Sequence, residues 1–484
     1  MTGKWVVIYL GMNMALAAVM VIGLILAWRW VAIRLERDLG RNPKGTLWEF
    51  LFSLNANSRA DLALTMQRAE QGKPAEHPLG SVPDVMWLDH IGFDPATLHP
   101  VPKDRTTPVN LAVRLGPKAA TPLPLSLPIL IAPMGYGVAL SEEAKIALAQ
   151  AASLTDTAIV SGEGPFLPEE RAFATKWVLQ WSRAEWAHQE AVVQLADMVE
   201  IQMGQGSEAG IGIVKNPQTV PARVADAAMG PVVIHAISPQ SIPRWIEKIR
   251  HIKSGCPIGI KLPANQHLEQ DLHLVTQWGV DVITLDGSAA GSAGSPAVIS
   301  DHFGLDVALA IHRAHRWLTQ AGVRQQVSLV ASGGIHDAAD VAKVLALGAD
   351  AAAIGSTLLF ALSHEQVAEH LPGSPPTAVV MAHGQASSPP QLDLDKASEH
   401  VTAWFEATRA ELTLLCQALG VDCIQDLGPQ HLVARTSEAA RRFDIASDGE
   451  PVNWGQVKES LGELADHYEI VNDILGRVVQ KIQT

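Results

Sequence analysis

The chain has 484 residues, 48% hydrophobic and 18% charged, a composition that excludes intrinsic disorder and allows a large buried core. Its formal net charge of −14 argues against nucleic acid as a partner, because phosphate backbones are met by basic surfaces. Its three cysteines, Cys256, Cys416 and Cys423, form no CxxC pair, which excludes a disulfide framework and a cysteine-only metal site.

The first feature along the chain is Trp5 to Trp28, 24 residues without a charge. About 20 apolar residues suffice to cross a bilayer, and tryptophans stand at both ends where an aromatic belt lies. Arg29, Arg34, Arg37, Arg41 and Lys44 follow, against Lys4 before. Residues 1–40 are therefore expected to be a transmembrane anchor, making the chain a single-pass cell-membrane protein with its bulk on the cytoplasmic side. A cleaved signal peptide is the alternative, since Ala15-Leu16-Ala17 resembles a cleavage site. The apolar run continues past that point and ends in arginines, which suits an anchor better. Residues 41–126, with loops such as "HPVPKDRTTP", read as an N-terminal cap segment.

From 127 to 369 short apolar runs alternate with helical patterns. Eight runs are expected as strands: Leu127–Gly135, Thr157–Gly164, Met198–Gly206, Pro231–Ser238, Pro257–Pro263, Asp281–Gly287, Val327–Gly334 and Ala351–Ser356. Strands alternating with helices argue for a parallel sheet with right-handed crossovers, and near-continuous apolar strands for a sheet buried on both faces. Eight units fit an α/β fold of the (β/α)8 TIM-barrel type, with an open doubly wound sheet as the alternative. The barrel is favoured because glycines and polar residues gather at the C-terminal ends of the runs, where barrels build their sites. Residues 370–398, rich in Pro, Ser and Gly, read as a flexible linker, and 399–484 as a C-terminal helical segment.

The strand ends carry the candidate chemistry. "SGG" and "GST" close the last two runs, and paired loops of this kind can hold a phosphate through backbone N–H groups and a helix N-terminus. Gly333, Gly334, Gly355 and Ser356 are the phosphate candidates; the plainer reading is that the glycines only make tight turns. Lys261 stands in an apolar run and needs a negative partner, either a ligand or a salt bridge to Asp286 or Glu200. Glu163, in "SGEG", is placed to act as a base or to orient substrate, or to pair with Lys261 or Arg171. His235 reads as a satisfied barrel histidine. His302, His312 and His315 have a metal-like spacing without a carboxylate pattern to complete it, and read as a solvated face, so no metal is expected.

The motifs "APMGYGVALSEEAKIALAQAASL", "VSGEG", "VEIQMGQGSEAG", "ISPQS", "IKLP", "AGSAGSP" and "SGGIHDAADVAKVLALGADAAAIGSTLLFAL" stand in one order. Together, from about Leu127 to Ser363, they resemble the FMN-binding synthase domain of glutamate synthase, in its stand-alone membrane-anchored form. The resemblance implies FMN as cofactor and reduction of a 2-iminoglutarate made from 2-oxoglutarate and ammonia. It places Pro133 and Met134 near the flavin ring, and Ser161 and Glu163 at flavin and substrate. Gln202 would touch the isoalloxazine, Lys261 would stabilise negative charge at its N1/O2 edge, and the paired glycine loops would hold the phosphate. Glu163 and Lys261 are thus the catalytic candidates. The partners implied are a small-molecule substrate, the membrane through the N-terminal helix, a separate electron donor, an ammonia-supplying subunit and a second copy of the chain.

Three segments depart from the family pattern. The loop "QGSEAGIGIVKNP" has Glu208 where the family has a lysine, a charge that would repel a dicarboxylate, with Lys215 nearby. "GRFG" is replaced by "SRAEW" at Ser182 to Trp186. The iron–sulfur cysteines after the last strand are replaced by "LFALSHEQVAEH", so no iron–sulfur cluster is expected. These departures keep two other readings open: an FMN oxidoreductase acting on a different substrate, and a barrel kept as a non-catalytic scaffold.

Overall fold

The computed structural model describes residues 22–23, 26–30, 65, 67–70, 72–75, 86–291, 295–366, 379–385 and 391–447. The chain divides into two compact units, residues 1–75 and 76–484. In the first, residues 22–23 and 26–30 are helical and exposed. Among the described residues no helix is long and apolar enough to cross a membrane. That finding overturns the expected single-pass location; most of the apolar stretch from Trp5 to Trp28 lies outside the described residues.

The second unit is built on a closed parallel barrel of eight strands. Fourteen strands are described in it. Outside the barrel, β1 (Ile91–Phe93) pairs antiparallel with β14 (Leu432–Ala434). β2 (Val113–Leu115) and β3 (Leu123–Leu125) form a hairpin. At its turn Gly116 adopts φ +77° and donates to Ser328 Oγ at 3.1 Å. A Cβ on Gly116 would lie 2.8 Å from Pro257, so glycine is what lets the hairpin close the N-terminal end of the barrel.

The barrel strands are β4 (Ile129–Ile131), β5 (Ala158–Val160), β6 (Trp177–Trp181), β7 (Met198–Gln202), β10 (Ile258–Pro263), β11 (Val282–Asp286), β12 (Ser328–Ser332) and β13 (Ala351–Ile354). β13 pairs with β4 through Ile354↔Ile131 and closes the circle. Seven of the eight expected runs lie in it. The third barrel strand is Trp177–Trp181, which carries no closing glycine and was not expected. The expected run at Pro231–Ser238 leaves the barrel instead: β9 (Val232–Ile234) pairs antiparallel with β8 (Ile213–Lys215) in an outer hairpin. Both segments are short and apolar, and apolar runs of this length do not report their pairing partner. His235 is accordingly not a barrel histidine; it is exposed just beyond β9.

The helices follow their strands. Ser141 caps α1 (Glu142–Leu154) by accepting from Ala144 N at 3.1 Å, and Asp337 does the same for α9 (Ala338–Ala346) through Asp340 N at 2.9 Å. Between them come α2 (Pro168–Phe173), α3 (Glu190–Val193), α4 (Ala222–Ala228), α5 (Ile242–Ile252), α6 (Leu268–Gln277), α7 (Ala297–Ser300) and α8 (Val307–Gln320). α10 (Ser356–Leu362) follows β13, and the long α11 (Leu394–Leu419) packs on α1, α9 and α10. α11 starts inside the stretch expected to be linker, with Asp393 as its cap. α12 (Ser437–Phe443) is the last described helix; residues 448–484 of the expected C-terminal helical segment lie outside the described residues.

The histidines of α8 do not form a solvated face. His312 is buried, edge-on to Phe443 with ring centroids 5.7 Å apart, and burial pushes its pKa down to about 4. His315 is half-buried and accepts from Arg324 Nε at 3.2 Å. Only His302 is exposed.

Candidate active site

One cavity of about 330 Å³ opens at the C-terminal ends of the barrel strands, within the size range of small-molecule and cofactor sites. Its floor is an unusually polar barrel interior. Glu200 is buried on β7; its carboxylate accepts from Gln180 Nε2 at 3.0 Å and from Thr284 Oγ1 at 2.7 Å. Desolvation raises its pKa, against the pull of Lys261. Above it, Gln202 accepts from Gln180 at 3.2 Å while its own Nε2 has no hydrogen-bond partner although buried. In-register pairing puts Lys261 beside both Gln202 and Thr284. Its ammonium lies 3.1 Å from Asp286 Oδ1, with 5% and 1% of the two side chains exposed. Of the partners expected for Lys261, then, Asp286 is the one in contact.

One end of the cavity is a glycine cradle. Gly333 and Gly334 turn through left-handed conformations, φ +95° and +70°. A Cβ on Gly333 would lie 2.5 Å from Ala290, so close packing alone demands glycine there. Gly355 differs. Its Cβ would meet nothing nearer than Ala132 at 3.5 Å, and it stands at the N-cap of α10 with no side chain to satisfy the first N–H groups. Space and donors at Gly355 and Ser356 are thus left for a ligand. The residues present fit a bound FMN: a glycine turn with open space at an uncapped helix start, and an orphaned buried amide beside a lysine.

Pro133, Met134, Glu163, Gln202, Lys261, Gly333, Gly334, Gly355 and Ser356 all line this cavity. Ser161 does not; its hydroxyl accepts from Gln180 N at 2.9 Å and its carbonyl accepts from Lys145 Nζ at 3.1 Å. Glu163 pairs with neither Lys261 nor Arg171. Both of its oxygens are held by Arg183, Nε–Oε1 at 2.9 Å and Nη2–Oε2 at 3.0 Å, and Arg183 Nη1 also donates to Ile211 O at 2.7 Å. Arg171 instead donates to the carbonyls of Leu195 and Ala174 at 3.0 and 2.6 Å. Arg183 was not among the sequence candidates. It lies in the altered "SRAEW" segment, after a strand whose place in the barrel is not legible from the residues.

The loop between β7 and β8 forms another part of the wall. Gly206 N donates to Asp286 Oδ2 at 3.1 Å and Ser207 N to Ala290 O at 2.8 Å, so this loop is braced on the one after β11. Gln205 and Ala209 bridge each other, and Ala209 is in the left-handed region at φ +53°. Glu208, between them, is 4% exposed and lines the cavity. Burial, then the charge of Glu163, pushes its carboxyl up to about 7. Lys215 donates to Val138 O at 2.5 Å.

Residues 90–422 match the family model described as a conserved region in glutamate synthase. A "glutamate synthase large subunit-like protein" of Rhizobium meliloti is 31% identical over 369 residues, covering 71% of this chain and 82% of that protein. An "archaeal glutamate synthase [NADPH]" of Methanocaldococcus jannaschii is 30% identical, covering 65% of this chain and 63% of that protein. An "archaeal-type glutamate synthase [NADPH]" of Thermotoga neapolitana is 32% identical, and the chain spans about half its length, 51%. Among solved structures, a flavocytochrome b2 double mutant with pyruvate bound superposes with a TM-score of 0.50 at 16% identity, covering 78% of this chain and 85% of that one. At that identity the likeness shows the barrel fold. The family model covers well over half of the chain, and the chain belongs to the glutamate synthase family of oxidoreductases.

Proposed function

We propose that the chain is an FMN-dependent oxidoreductase of the glutamate synthase type, reducing the C=N bond of a 2-iminoglutarate-type intermediate formed from 2-oxoglutarate and ammonia. The observation that carries this reading is the single cavity that joins the Gly355–Ser356 cradle to the buried pair Gln202 and Lys261. FMN, when bound, supplies the hydride chemistry, and the protein supplies placement and charge.

Gly333, Gly334, Gly355 and Ser356 would hold its phosphate, and Pro133 and Met134 would flank its ring. Gln202 Nε2, which is buried without a hydrogen-bond partner, would be the donor for a ring acceptor. Lys261 sets positive charge on the cavity floor, and Asp286 limits it to a local charge that needs no second counter-ion. Glu163 is clamped by two hydrogen bonds from Arg183, so its role is to shape the wall rather than to move a proton. A separate electron donor and an ammonia source complete the reaction.

A second reading, an FMN oxidoreductase acting on another substrate, is favoured by Glu208, which brings a carboxyl into the wall of the cavity. Purification of the full chain separates these readings. Flavin absorbance, with FMN released on denaturation, is the expected result; a colourless protein that refuses added FMN leaves the scaffold reading. If 2-oxoglutarate with ammonia reoxidises the reduced protein no faster than background, the reaction belongs to another substrate.

A further inference from the structure

Glu208 has no role in the imine-reducing scheme above, yet four observations converge on it. It is 4% exposed. It lines the same cavity as Gln202 and Lys261. Its Oε2 is buried without a hydrogen-bond partner, a state that is costly unless a ligand completes it. The next residue, Ala209, is a non-glycine residue at φ +53°, and backbone strain of that kind is retained where the surroundings enforce it, commonly at working sites. The backbone on either side of Glu208 is also closely packed. A Cβ on Gly204 would lie 2.0 Å from Ala209 O and one on Gly206 1.8 Å from Gly287 O.

We propose that Glu208 is the residue that recognises the substrate's nitrogen, holding an ammonium group as a carboxylate and giving an imine nitrogen its proton as a carboxylic acid. The proposal rests on the oxidoreductase reading above and assigns its missing proton. In the reductive direction the bound FMN would supply the hydride for the new C–H bond as the C=N π bond breaks, and the Glu208 carboxyl proton would form the new N–H bond, leaving Glu208 as carboxylate beside an amine. In the oxidative direction the same atoms run backwards.

The charges facing Glu208 suit the role. Glu163 from the turn after β5 and Asp286 at the end of β11 favour its protonated form; Arg183 after β6 and Lys215 on β8 favour the ionised form. Glu163 is already neutralised by Arg183, and Asp286 by Lys261, which leaves Glu208 as the cavity carboxyl without a cationic partner in contact among the described residues. Burial holds its titration near neutrality, at about 7, so both forms are populated at working pH. A wall lysine at this position would bind a carboxylate; a wall glutamate binds a nitrogen.

The test uses the flavin-loaded full chain and two probes, propylammonium and butyrate, which share a three-carbon chain and differ in their charged end. Binding is read by calorimetry and by the shift of the flavin visible bands. The wild-type chain is expected to prefer propylammonium, and to bind it roughly tenfold more tightly at pH 8 than at pH 6, because a carboxyl titrating at about 7 goes from about one-tenth to about nine-tenths ionised over that range. Glu208→Gln, which is close to isosteric, is expected to lose at least about tenfold in propylammonium affinity and to bind it with no pH dependence. Three results overturn the proposal: wild type binding butyrate better, wild type binding no propylammonium, or an unchanged affinity in Glu208→Gln. The wild-type pH profile stands even if the variant folds poorly. A chain that takes up no FMN but binds propylammonium with that profile refutes the flavin reading and leaves the nitrogen site.

Discussion

Arg183→Met tests the wall of the site most directly. The Arg183–Glu163 pair is bidentate, and its side chains are 0% and 6% exposed. Methionine keeps the volume of the guanidinium stem but leaves Glu163 as a buried carboxylate with neither of its two donors, and Ile211 O without the Nη1 bond. Removing one partner of a buried pair typically costs about 3–5 kcal/mol, because the remaining charge keeps its desolvation penalty and loses its compensation. The wild-type pair itself is worth much less than that. The double variant Arg183→Met with Glu163→Leu removes both charges and is expected to regain most of the loss. Urea unfolding of the four proteins of this cycle, followed by tryptophan fluorescence, gives the differences directly. A single variant that loses less than about 1 kcal/mol, or a double variant no better than the single one, would refute the claim that Glu163 is held here by Arg183 as its compensating charge.

Two further outcomes follow from the same structure. Gly355→Ala places its Cβ 3.5 Å from the nearest atom, so stability should change little while FMN affinity falls at least about tenfold; Gly333→Ala, with its Cβ 2.5 Å from Ala290 at φ +95°, should lose stability with or without flavin. Thermal melts with and without added FMN separate the two, and equal behaviour of the variants would remove the distinction between cradle and turn. His312 is buried with its pKa pushed down to about 4 from 6.5, so the unfolded chain binds more protons between those values. The stability it contributes is present above pH 6.5 and is lost as pH falls toward 4. His312→Phe should flatten that part of the stability-versus-pH curve; an unchanged slope would show that His312 is not a source of the acid sensitivity.

The barrel and the cavity at its strand ends were legible in the residues because they depend on local pattern. Apolar runs closed by glycine, alternating with helical periods and N-caps such as Ser141 and Asp337, specify strands, helices and turns over a few residues each. The glycine loops at 333–334 and 355 and the lysine in "IKLP" declared themselves for the same reason: each breaks a local rule that a buried strand obeys. What the residues alone could not decide was pairing. Val232–Ile234 and Trp177–Trp181 are equally good strands, and only closure of the sheet, with β6 hydrogen-bonded to both β5 and β7, selects the second. The partner of Glu163 is a matter of the same kind. Arg171 is eight residues away in sequence and Arg183 twenty, yet the turn of the barrel brings the guanidinium of Arg183 onto both carboxylate oxygens. Glu208 stood out in the sequence as a charge in the wrong place; its burial, its unpartnered oxygen and its raised pKa arise from walls contributed by β5, β6, β8 and β11, and long-range contacts of that sort leave no periodic trace in the chain.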